Sequence, residues 1–138
     1  MAVGVKVGSI IDEIGTSDFF HAFFSTISYY LEKKGSGSTY PCLMNEFYQG
    51  KIASDRASLV IEELKDVQKR LKKYKPKKVI WDIEDLTKKP PWGNNISPHI
   101  SSLANYFVTS TGKDIFKVLL EAFEASIAES KSAEIVEY

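Results

Sequence analysis

The sequence predicts an α+β fold, a small β-sheet packed against about three amphipathic helices in a single domain spanning residues 1–138. Three observations carry this. Short runs rich in valine, isoleucine and aromatics have strand character. Three longer segments repeat apolar residues at steps of three and four, the period of one helix face. The order in which the two kinds of segment alternate suits helices laid against a small sheet.

Residues 3–10 alternate loosely and read as a strand. Thr16-Ser17-Asp18 then offers N-caps to an aromatic segment. In it Phe20, Phe24, Ile27 and Leu31 fall on one face, and Phe19, Phe23 and Tyr30 widen the stripe into a central core helix. Gly35-Ser36-Gly37-Ser38 ends it as a flexible loop. Pro41 opens a brief helix, PCLMNEFYQ, that stops at Gly50. Ser54 or Asp55 caps the next helix, whose stripe is Val60, Leu64, Val67, Leu71 and Tyr74. Two heptads are too few for a coiled coil, so an amphipathic helix packed on a sheet is expected. Pro76 ends it. A second strand is expected over 78–83, then a loop-rich section from Pro90 to Ser102 with one helical turn after Pro98. Tyr106-Phe107-Val108-Thr109 reads as a third strand. Asp114 caps the last helix, with Ile115, Phe116, Leu119, Leu120, Phe123 and Ile127 turned inward. Ala133 to Val136 adds an edge strand or frays.

Composition excludes several classes. The 43% apolar content is that of a globular chain. Lys+Arg and Asp+Glu balance at 18 each, so no global field draws the molecule to nucleic acid or membrane. The single cysteine, Cys42, has no internal disulfide partner. MAVGVKVGSIIDEIG lacks the pattern of a signal peptide, and no apolar run approaches the roughly 18–20 residues of a membrane span. A soluble, cytoplasmic protein is expected.

Motifs for chemistry are sparse. Neither GxxxxGK[ST], GxGxxG nor GxSxG occurs. His21 and His99 have no neighbour at ligand spacing, and Cys42 has no evident base, so a structural thiol is expected. Asp82, Glu84 and Asp85 follow the apolar run Val79-Ile80-Trp81. Strand alternation would put Asp82 and Glu84 on one side, where with Lys88 or Lys89 they resemble a metal-dependent hydrolase or nuclease centre. No matching upstream acid supports it, and an acidic strand end facing water explains the same residues. Lys65, Lys69, Arg70, Lys72, Lys73, Lys75, Lys77 and Lys78 crowd one helix end and its exit. That suits a nucleic-acid-binding module, but equally a solvated face complementing a helix dipole, with Asp66 and Arg70 as an i,i+4 pair. Further acids, Glu121, Glu124, Glu129, Glu134 and Glu137, lie elsewhere, so the neutral total hides a polarised molecule.

The stretch KVIWDIEDLTKKPPWGNNISPHI combines acids, a double proline and two tryptophans. Such a stiff aromatic loop suits a protein-binding surface. Trp81 is expected in the core, while Trp92 is open between core packing and an exposed anchor.

Four stretches, VGSIIDEIGTSDFFHAFFSTISYYLE, YPCLMNEFYQGKI, VIWDIEDL and PPWGNNISPHISSLANYFVTSTGKDIF, cover most of the chain. On these the sequence resembles the immunity protein 70 family of bacterial polymorphic toxin systems. The resemblance implies a non-enzymatic inhibitor, encoded beside a secreted toxin and kept in the producer's cytoplasm, that binds the toxin's C-terminal domain without a cofactor. It carries over no contact residues. From this sequence alone the partner-binding candidates are Asp82, Glu84, Asp85, Trp92, Asn94 and Asn95, the acids matching the basic groove of a nuclease. A metal-dependent hydrolase using Asp82 and Glu84, and a nucleic-acid-binding module, are the alternatives.

Overall fold

The structure, a computed structural model, describes residues 2–35, 37–93 and 96–138. Strand β1 (Ala2–Val7) turns back through Gly8-Ser9 into β2 (Ile10–Thr16), pairing antiparallel from Val7↔Ile10. Gly8 has φ +61 and Ser9 is not in the left-handed region, the pattern of a type II′ hairpin turn, which wants glycine first. Where the sequence predicts one strand over 3–10 there are thus two, and Gly-Ser is the signal for the turn. The register skips Ile14 between Val3↔Gly15 and Gly4↔Glu13, so β2 bulges there. Gly4 is obligatory nearby, since a Cβ would meet the Asp12 carbonyl at 2.8 Å.

Helix α1 (Ser17–Leu31) starts as expected, with Thr16 Oγ1 accepting the Phe19 N–H at 3.2 Å. A π-helical turn, Cys42–Phe47, follows, and Glu63 accepts the Cys42 and Leu43 N–H groups at its start. Strand β3 is only Lys51–Ile52. Helix α2 (Ala57–Leu71) is entered through a 3-10 turn, Ser54–Arg56. Neither Ser54 nor Asp55 caps it; that turn supplies the backbone continuity instead. Val60, Leu64, Val67 and Leu71 are buried as the spacing predicts, while Tyr74 lies beyond the helix end. Helix α3 (Ile115–Glu129) is capped by Asp114, which accepts the Phe116 N–H. Its buried stripe ends on Ala122, Phe123 and Ser126, leaving Leu120 half-buried and Ile127 exposed.

Strand β4 (Ala133–Glu137) is not at an edge. The sheet order is β2-β1-β4-β3, so the last strand pairs with the first on one side and with β3 on the other. Two expected strands are absent. Residues 106–109 contribute only the bridge Val108↔Asp114, and residues 78–83 join no sheet. After Pro98 the chain turns without forming a helix.

The core is aromatic. Phe23 meets Phe107 and Phe116 edge-on at 5.3 and 5.4 Å, and Phe47 meets Phe123 at 4.9 Å. Among the described residues no helix is long and apolar enough to cross a membrane.

Candidate functional site

Residues 78–83 look like a strand in sequence because they are apolar and β-branched, but their backbone is paired by side chains of α1. Tyr30 donates its hydroxyl to the Lys78 carbonyl at 2.8 Å. Thr26 Oγ1 accepts the Ile80 N–H at 3.1 Å and donates to the Ile80 carbonyl at 3.2 Å, acting as the strand neighbour would. Ser25 accepts the Ile83 N–H. Ser25 and Thr26 are almost fully buried polar residues on an otherwise apolar face, and that is the signal for this role.

Asp82 is the next point of attachment. One carboxylate oxygen accepts the Glu84 N–H at 2.9 Å and lies 3.2 Å from His21 Nε2; the other lies 3.4 Å from Lys88 Nζ. The Glu84 amide first, then His21 and Lys88, hold its carboxyl below the usual range. With Nε2 of His21 donating to Asp82, Nδ1 accepts the Tyr48 hydroxyl at 2.5 Å. Tyr48 stacks on Phe24 at 3.9 Å, and burial, followed by Glu84 and Asp82, raises its pKa. His21 therefore ties the acidic loop to the π-helical turn, a role its sequence context does not reveal.

Beyond Asp82 the chain runs through successive turns, Asp82–Asp85 and Asp85–Lys88, each closed by a backbone hydrogen bond. Asp85 accepts the Thr87 N–H and hydroxyl, which lower its pKa. Asp82 and Glu84 do not share a strand face. The Asp82 side chain is 17% exposed and internally occupied, whereas Glu84 and Asp85 face solvent. Among the described residues no three His, Cys, Asp or Glu side chains come together in a way that could hold a metal ion.

Trp81 is half-buried against the core and meets Trp92 edge-on at 5.4 Å. Trp92 donates its indole N–H to Tyr106 Oη at 2.8 Å yet stays 41% exposed. It borders an apolar groove with Phe19, Ile100, Tyr106 and Val108, about 210 Å³ in volume. Leu86, between the acids and the prolines, is 51% exposed. Asn94 and Asn95 lie outside the described residues. The structure thus brings Glu84, Asp85, Leu86 and Trp92 to the surface on one stretch of chain and uses Asp82 to hold it.

Helices against a four-stranded antiparallel sheet, with an aromatic and acidic loop fastened across α1, define a small α+β domain with a shaped surface. The profile of a family described as Immunity protein 70 matches residues 5–135, nearly the whole chain, and the chain belongs to that family. Membership implies a protein partner. No curated protein and no solved structure matches the chain.

Proposed function

We propose that this chain, acting as a single domain, is a cytoplasmic immunity protein that masks a cognate secreted toxin domain by stoichiometric binding, without chemistry of its own. The observation that carries the reading is the loop from Asp82 to Trp92. It is apolar and half-exposed at Leu86 and Trp92, acidic at Glu84 and Asp85, and fastened from below by α1 side chains. A fixed loop loses little entropy on docking, and a half-exposed tryptophan braced by a second ring is a suitable anchor. Glu84 and Asp85 suit a basic groove, and this favours a nuclease as the toxin. Asp82 then acts as a positioning residue, and Asn94 and Asn95 stay partner-binding candidates on the sequence alone.

The test is rescue of cells expressing the toxin domain encoded beside this chain, with co-purification of the two. The double change Glu84→Lys, Asp85→Lys alters exposed side chains; since Asp85 also gives up its bonds to Thr87, a small drop in melting temperature with an unchanged circular-dichroism spectrum is expected. It is expected to weaken binding by at least about tenfold, chiefly through slower association at low salt. Full protection by the double variant would remove this surface from the interface. Failure of the unaltered chain to protect would sink the immunity reading itself.

A further inference from the structure

A second concave surface lies at the C-terminal ends of α1 and α2, and it is basic. Lys33 and Lys34 follow α1, Arg70 and Lys73 end and follow α2, and the four line a cavity of about 470 Å³. That volume is in the range of small-molecule sites. Arg70 is paired with Asp66 at 3.1 Å, but no carboxylate among the described residues lies within 4 Å of the ammonium groups of Lys33, Lys34 or Lys73.

The adjoining acid is already committed. Glu32 is buried, and its carboxylate accepts the backbone N–H groups of Gly37, Thr39 and Tyr40 together with the Ser38 hydroxyl. It folds loop 37–40 into the rim and presents Ser38 and Thr39 at the cavity. Counting four cations against Asp66, Glu32 and two helix C-terminal poles of about half a charge each leaves roughly one positive charge in the cleft. The dipoles alone therefore do not account for the cations.

One wall is aromatic and rigid. The rings of Tyr30 and Tyr74 lie 4.4 Å apart, the Tyr30 hydroxyl is fixed on the Lys78 carbonyl, and the Tyr74 carbonyl accepts the Leu103 N–H. Lys73 reaches over the Tyr74 ring at 5.6 Å. A stiff aromatic wall beside the Thr39 hydroxyl and three long cations, none with a carboxylate partner among the described residues, favours a ligand with a phosphate at one end and a flat or sugar-like body at the other.

We propose that this cleft binds a compact phosphorylated small molecule of about mononucleotide size. The site is separate from the loop around Trp92 and does not rest on the immunity reading. The probes are inorganic pyrophosphate and ADP, titrated into the full chain and followed by amide chemical shifts and calorimetry. Saturable binding is expected, with shifts concentrated at Lys33, Lys34, Ser38, Thr39 and Lys73. Lys34→Gln with Lys73→Gln should weaken it by at least about tenfold, since two of the cations facing the phosphate are removed. These side chains are exposed, so an unchanged melting temperature will show that the double variant folds, and Lys117→Gln on α3 serves as the control. No saturable shift with either probe, or equal affinity in the double variant, overturns the proposal. Tighter binding of a single-stranded oligonucleotide, with shifts spreading to Lys65, Lys69 and Lys77, would also overturn it in favour of an extended nucleic-acid surface.

Discussion

On the inward face of α1, Phe20, Phe23 and Phe24 meet other rings of the core; on the face beside it, His21, Ser25 and Thr26 meet the backbone and the acid of residues 80–83. One helix thus supports two regions by different physics. The body is held by apolar area removed from water, which is non-directional and tolerant of small shifts. The loop is held by a few directional hydrogen bonds, each small in net energy but costly to leave half-made. A surface that must keep one shape without a sheet beneath it gains more from the second kind of attachment.

The largest expected effect is in the body. Phe23 is fully buried among Phe24, Phe107 and Phe116, so Phe23→Ala should cost about 3–5 kcal/mol in chemical denaturation. A loss below about 1 kcal/mol would mean the aromatic cluster collapses around the gap and the body is softer than its packing implies.

A smaller effect of different character is expected from Thr26→Val. The shape is kept, but the Ile80 N–H and carbonyl lose their partner, at about 1–3 kcal/mol. The change should appear locally, as faster amide exchange over 78–92 with the α3 core amides little affected, and Thr26→Ser should restore protection. Uniform acceleration across the chain would show that loop and body open as one unit.

Trp92→Ala comes next. It removes one edge-on contact and one hydrogen bond from a half-exposed ring, so a stability loss of about 1 kcal/mol is expected. Its effect on toxin binding should be larger, about 2 kcal/mol or more if the ring is the anchor. Equal small losses in both measurements would make Trp92 a brace for Trp81 and Tyr106 and not an anchor.

The two regions also differed in how well they could be read. Periodicity exposes burial, so the α1, α2 and α3 stripes are legible, as are Thr16 and Asp114 as caps. It does not expose pairing. Val79-Ile80-Trp81 has strand composition, yet the side chains that pair with the backbone of Lys78, Ile80 and Ile83 lie 48 to 58 residues away in sequence, and no local pattern announces them. β4 reads as an edge because it comes last, whereas its place between β1 and β3 depends on chain ends meeting in space. At the candidate surface, the acids and Trp92 are visible as types, but that Asp82 is tied to His21 and Lys88 while Glu84 and Asp85 face solvent, Asp85 bonded only within its own turn, follows from the turns.

The finest separation of the two regions is by pH, where they should fail at opposite ends. Cys42 belongs to the body, and burial, then Glu63, pushes its thiol up to about 11 from an ordinary 9.0. The unfolded chain releases that proton first, so stability should fall as pH rises from about 9 to about 11, and Cys42→Ala should flatten that limb. Asp82 belongs to the loop and its carboxyl is depressed, so its contribution is present above the ordinary carboxylate pKa of about 3.9 and is lost as pH falls through the lower folded value. Acid should therefore loosen residues 78–92 while the Phe23 cluster keeps its near-ultraviolet signal, and Asp82→Asn should already show the loosened loop at neutral pH. If acid instead disrupts the aromatic core at the same pH as the loop, the Asp82 attachment is part of the body's cooperative unit and the division between the two regions does not hold.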